Sequence, residues 1–439
     1  MSRRVCLALL LTVCLASCAE ESAEPEVGDS RPAVKDVPAE RTSAPTPVAA
    51  ATSTPSEKSS GPYDLVQAPQ SFLTAAEIEE GWIQLFDGQT LFGWKPNNGV
   101  NWIVHEGTIT ADTGDPGLLL TSVPFANYEF RCDFRLEAGG NSGLFFHTQP
   151  DSIKPASNCY ELNIADDNPF PTGSLVQRKR IETPVFVEGE WHTYHVTLVN
   201  STMQVALDGK PILEYEDDTE DKLVSGFIGL QKNVGKIEFR NVALKPRQQS
   251  SLFGGADLKG WHVVPGNKSD FKVSDGTIHV SDGPGFLETD ETWDDFVLQI
   301  SAKVNGDGLN SGVFFRCMRG TEEGPSNGYE MQIHNGFEGD DRSQPIDSGS
   351  GAIFRRTKAR WVIGDDRQWL HATLVAHGPR ISTWVNGIQM TDWTDERDED
   401  ENPRRGRRLT AGHISLQGHD PTTDLDFKAL RISDYPGDE

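Results

Sequence analysis

Aromatic residues are missing from the first 62 positions of the chain. All ten Trp, 21 Phe and seven Tyr lie beyond them, so the core-forming residues are concentrated in the remaining 377 of 439. Positive charge is also scarce, with 40 Lys and Arg against 66 Asp and Glu, a formal charge of −26. A surface of that sign cannot neutralise a phosphate backbone, which excludes a nucleic-acid partner. Cysteine is rare too. Of six, Cys6, Cys14 and Cys18 fall in the first 18 residues, leaving Cys132, Cys159 and Cys317. Three thiols make no disulfide scaffold, and no CxxC or HExxH spacing offers a zinc site. A Cys132–Cys159 bridge stays open, with free thiols the expected state. No segment shows a sustained helical period with caps.

The aromatic-poor end divides in two. Arg3 and Arg4 precede an apolar stretch, Val5 to Leu15, far short of the roughly 20 residues that a bilayer requires. Leu15-Ala-Ser-Cys18 follows and resembles a bacterial lipobox, in which the thiolate accepts diacylglycerol. Residues 1–18 therefore read as a lipoprotein signal peptide with Cys18 the lipidated residue, and no other membrane segment is found. The expected location is extracytoplasmic and membrane-anchored, in the outer membrane or periplasm. Residues 19–77 read as a disordered linker. Seven Pro among Ala, Ser, Thr and Glu between 19 and 62 bury too little apolar surface to order the segment.

The rest of the chain is written twice. Leu85-Phe-Asp-Gly, Trp94 and Gly107-Thr-Ile are echoed by Leu252-Phe-Gly-Gly, Trp261 and Gly276-Thr-Ile. Asn141-Ser-Gly-Leu-Phe-Phe-His and Tyr160-Glu-Leu-Asn-Ile return 169 residues later as Asn310-Ser-Gly-Val-Phe-Phe-Arg and Tyr329-Glu-Met-Gln-Ile. The offset grows to 178 for Leu207-Asp-Gly and Val385-Asn-Gly, then to 186 for Gly229-Leu-Gln and Ser415-Leu-Gln. Conserved order with a growing offset means duplication with loop insertions in the second copy. A period near 170 makes two domains and not a solenoid, spanning 78–247 and 250–435.

Each copy is written in strands. Tyr128 to Leu136 alternates apolar and polar residues at period two, and Phe296 to Ala302 does so similarly. Asp208-Gly, Asp275-Gly and Asn386-Gly supply turns. About a dozen strands per copy predict an all-β, two-sheet sandwich of jelly-roll type.

Candidate chemistry follows from the same alternation. Tyr329, Met331 and Ile333 point to one face, while Glu330, Gln332 and His334 fall on the other, where an exposed sheet could hold a sugar. Arg316 on the preceding strand joins them, and so do Gln417 and His419 from a later one. Arg355 and Arg356 follow Ser348-Gly-Ser-Gly, a small-residue run that lets backbone approach a ligand. Trp361 and Trp393, in regions specific to the second copy, are the candidates for stacking on a sugar face. The charged run Asp395 to Arg408 reads first as a solvated loop, or else as a rim of the site.

These motifs, over about 350 residues, resemble the 3-keto-disaccharide hydrolase family, also described as 3-keto-glucoside lyase/hydratase domains. The resemblance implies two tandem concanavalin A-like jelly rolls acting on oxidised sugars outside the cytoplasm. A C3 carbonyl acidifies the C2 hydrogen, so a base can form an enolate and expel the C1 substituent, and water then adds to the glucal. On this reading Glu330 or His334 is the base, Arg316 or a cation steadies the enolate, and His419 donates the proton. Gln332, Gln417, Arg355, Trp361, Glu161 and Gln231 bind substrate. The sequence identifies no cofactor, and a divalent cation remains open.

The copies differ in polar content. Where the second has Arg316, Gln332, His334 and His419, the first has His147, Asn163, Ala165 and Lys232, which marks it as a binding or altered domain. The alternative function is a non-catalytic carbohydrate-binding surface lipoprotein. A retaining glucanase ranks last, because neither Glu161-Leu-Asn-Ile nor Glu330-Met-Gln-Ile supplies a second acid.

Overall fold

A computed structural model describes residues 64–150, 154 and 156–436. The signal peptide, Cys18 and the linker up to residue 63 lie outside the described residues. The chain forms two tandem antiparallel β-sandwiches, each an eight-stranded sheet over a five-stranded one. In the first copy the five-stranded sheet runs Trp94–Pro96, Gly117–Thr121, Phe227–Lys232, Ser142–Thr148, Tyr160–Ile164. In the second it runs Trp261–Val263, Gly285–Thr289, His413–Gly418, Ser311–Cys317, Tyr329–Ile333. The eight-stranded sheets also share one strand order. Two copies with identical topology are what the repeated motifs require.

Strand Tyr128–Leu136 shows the expected alternation along its whole length: Phe130, Cys132 and Phe134 are buried in the inter-sheet core and Glu129, Arg131 and Asp133 are half-exposed. The second copy's Phe296–Val304 strand departs from that pattern, because its outer face is buried as well. Val297 joins the first copy's core cluster, and Gln299 Nε2 donates to Gly81 O at 2.8 Å. The sandwiches are thus joined along this face, with Trp384 Nε1 donating to Gln84 O at 2.8 Å and Arg360 paired with Asp87 at 2.7 Å.

Part of the junction is a helix, Ala75–Glu80, that alternation did not reveal. Its six residues are too few to display a period, although Thr74 and Glu77 form a capping box around its N-terminus. Glu77 pairs with Arg131 of the first sandwich, and Lys428 of the second reaches Glu79. Leu73, inside the expected linker, is buried beside Trp82. Cys132, Cys159 and Cys317 are free and buried. Among the described residues no helix is long and apolar enough to cross a membrane.

Candidate functional site

The outward face of the second copy's five-stranded sheet is set by its register. Glu288, Ser415, Phe314 and Glu330 are cross-strand neighbours in one row. Phe286 pairs with Gln417 and Gly312 with Gln332 in the next. The alternate residues, Leu287, Leu416, Val313 and Met331, face the core. The polar set expected from alternation therefore does share a face. That face is not an open concave sheet. Phe286 and Phe314 meet edge to face at 5.3 Å and are sealed beneath Val264 and Cys317, leaving the end around Glu330 accessible.

There a cavity of about 100 Å³ is lined by Glu330, Arg355, Arg356, Pro403 and Arg404, among others. Glu330 is 8% exposed. Burial raises its pKa to about 7, against the pull of Arg404, His419 and Arg355. A carboxyl poised near neutrality is suited to take up and return a proton. Gly312 makes room for it, since a Cβ there would stand 2.9 Å from Glu330 Cγ and Oε1. Beside it, Gln332 Nε2 donates to Asn310 Oδ1 at 3.3 Å. The Oε1 atoms of Gln332 and Gln417 and the Ser415 hydroxyl are buried without a hydrogen-bond partner among the described residues. Such atoms form the inventory that sugar hydroxyls or ordered water satisfy.

Other candidates separate. His419 carries its Nδ1 2.8 Å from Asp420 Oδ2, and the Thr422 and His419 hydrogen bonds hold the Asp420 carboxyl at about 2. That carboxylate orients the ring. His334 lies four residues beyond Glu330, about 13 Å along an extended strand. Its Nδ1 accepts from Gly336 N at 3.1 Å. Glu330 lines the cavity and His334 does not, which makes Glu330 the base candidate. Arg355, at positive φ, lines the cavity as expected.

Several expectations are corrected. Arg316 does not face the site. A bulge at Phe314–Cys317, with Arg316 at φ 48°, breaks the alternation and turns the guanidinium away. It is 0% exposed and saturated by Asp295 at 2.6 Å and by the carbonyls of Asp294, Gly378 and Arg408. Its counterpart His147, at φ 47°, is bound in the same way to the carbonyls of Leu223 and Ala126. Trp361 does not line the cavity of Glu330. It packs against the second core, as does Trp393.

The first copy keeps Glu161, also 8% exposed and raised by burial to about 7, with Gln231 Nε2 3.4 Å away. In that sheet Leu118 and Leu120 occupy the register positions of Phe286 and Glu288. The same registers pair Lys232 with Gly117 and Gly418 with Gly285. His419 therefore corresponds to Asn233, not to Lys232. Lys232 turns its Nζ to Asn233 O.

Sequence reasoning missed Arg404 and Gly312 as site residues. Arg404 arrives on the charged loop, pinned to Ser326 O at 2.6 Å with its guanidinium over the Phe314 ring. The rim reading of that loop was the available signal. Gly312 was visible only as part of the Asn310-Ser-Gly repeat. Among the described residues no group of three or more His, Cys, Asp or Glu side chains is arranged to hold a metal ion.

A sequence model of the 3-keto-alpha-glucoside-1,2-lyase-like domain matches residues 81–245 and again 248–433. A 3-keto-disaccharide hydrolase of Bacteroides thetaiotaomicron is 23% identical over 242 residues, covering 39% of this chain and 83% of that protein. Among solved structures, a provisionally assigned glycosyl hydrolase from Parabacteroides distasonis is 25% identical with a TM-score of 0.36, covering 40% of this chain and 98% of that one. The carbohydrate-binding module CBM66 from Bacillus subtilis is 18% identical with a TM-score of 0.29, covering 35% and 95%.

Proposed function

From the premise that the chain belongs to the 3-keto-α-glucoside-1,2-lyase-like family, present in two copies, we propose that its second sandwich cleaves 3-keto-glycosides by elimination and hydration. Glu330 carboxylate takes the C2 proton, which the C3 ketone has acidified. The negative charge gathering on the C3 oxygen is met by Arg355 and Arg404, in the place first given to Arg316. Collapse of the enolate forms the C1–C2 double bond and breaks the C1–O bond. His419, held by Asp420, gives the departing oxygen its proton. Water then adds its hydroxyl to C1 while C2 regains a proton, so the sum is hydrolysis.

One observation carries this reading: a buried carboxyl raised by burial to about 7, with Arg404, Arg355 and His419 around it. The first sandwich keeps the carboxyl without the counterparts of Arg355, Arg404 and His419, which favours a sugar-binding role for it. The test is incubation of the purified chain with 3-keto-trehalose and with trehalose, each with and without chelator. Cleavage of the keto sugar alone is the expected result, and loss of it on chelation would add a metal to the mechanism. Turnover of neither sugar, with binding retained, would make the protein a carbohydrate-binding lipoprotein. From the lipobox-like residues 15–18 we also propose that the enzyme lies outside the cytoplasm, tethered through a lipid on Cys18.

A further inference from the structure

The duplication provides an internal control on the charge of the second cavity. In the first copy, Tyr160 OH and Arg178 Nη1 both bond Asp217 Oδ2, at 2.7 and 2.9 Å. The second copy repeats the tyrosine and the carboxylate, with Tyr329 OH 2.7 Å from Asp395 Oδ2. The arginine has changed hands. Arg397, from the charged loop absent in the first copy, takes Asp395 with Nε at 2.8 Å and Nη2 at 2.7 Å. Arg356, the counterpart of Arg178, is left with the Arg404 carbonyl at 2.8 Å.

The loop also brings Arg404, whose guanidinium bonds the Ser326 oxygens. Arg355 stands where the first copy has Gln177, the two sharing φ 60°. Loop neighbours Arg405 and Arg407 are compensated by Asp400 and Glu399. Arg355, Arg356 and Arg404 make no ion pair within 4.0 Å among the described residues, and all three line the cavity of Glu330. The cavity therefore holds three guanidiniums against one carboxyl, in a chain of net charge −26. An enolate appears only transiently. Three standing cations exceed what it requires.

We propose that this cavity takes a sugar carrying a fixed negative charge, a carboxylate or a sulfate, held by Arg355, Arg356 and Arg404. The inference rests on the reading of this cavity as the sugar site. Guanidinium forks suit both oxyanions. At ordinary ionic strength, charges beyond about 10 Å are screened, so the acidic surface elsewhere does not oppose binding.

The experiment is calorimetric titration of the whole chain with D-glucose, D-glucuronate, D-glucose 6-sulfate and inorganic sulfate, at low and high salt. One or both anionic sugars should bind at least about tenfold tighter than glucose, and the stronger of the two identifies the group. Salt should erode that preference. R355Q and R404Q should each remove most of it, and R405Q should leave it intact. Equal affinity for glucose, a preference that survives R355Q and R404Q, or inorganic sulfate binding as tightly as the sulfated sugar would overturn the inference. Turnover of neutral 3-keto-trehalose, measured on the same preparation, keeps the two readings apart. Turnover without a charge preference refutes only the anionic ligand. A charge preference without turnover refutes only the elimination chemistry.

Discussion

Replacing Glu330 by Gln should abolish turnover and stabilise the protein, a combination that a merely structural glutamate would not give. Burial carries this carboxyl from 4.5 to about 7. At about 1.4 kcal/mol per pH unit, the folded protein bears a penalty of roughly 3 kcal/mol for holding the anion. The folded pKa is raised above the unfolded one, so the folded state binds more protons between pH 4.5 and 7. Stability from this group is present below that window and is lost as pH rises through it. E330Q, which keeps the shape and cannot ionise, should match wild type near pH 4 and exceed it by up to roughly 3 kcal/mol at pH 8. Urea unfolding at both pH values, beside turnover of 3-keto-trehalose, provides the assay. The reasoning fails if the variant is equally or less stable at pH 8, or if turnover survives.

Further outcomes follow from the same geometry. The kcat/KM of wild type should rise with pH to a midpoint near 7 as Glu330 ionises, and E161Q should leave that profile unchanged. G312A places a Cβ 2.9 Å from the Glu330 carboxyl and should cost about a hundredfold in kcat/KM, whereas G143A, whose nearest contact is 3.2 Å, should cost little. R316Q strips a buried ion pair and should lower stability by about 3–5 kcal/mol, while the folded fraction keeps its kcat/KM. C18A should release the protein from the membrane fraction, and unchanged membrane association would remove the lipid anchor from the account.

Strands and their inward faces were legible because alternation fixes the face and a twice-written motif fixes the repeat. The shared face of Glu330 and Gln332 was legible through alternation, since their strand runs regularly through those positions. Arg316 was misplaced where the strand bulges, because one left-handed residue inverts the rule and nothing in Phe-Phe-Arg announces it. The Ala75–Glu80 helix escaped through shortness, and Trp361 because the sequence does not say which loop tryptophan reaches the core. Arg404 was legible only as part of a loop that could rim the site, for a different reason. It lies 74 positions from Glu330, and only the tertiary fold brings its loop over the face.

The measurement that bears most directly on elimination at C1–C2 is the fate of the C2 hydrogen. Hydrolysis of 3-keto-trehalose in D2O, followed by NMR at early times against an enzyme-free control for spontaneous exchange, reads it directly. Elimination and rehydration predict one deuterium at C2 of the released keto sugar for each turnover, with none above the control in E330Q. Product that retains its original C2 hydrogen at full turnover would contradict the mechanism.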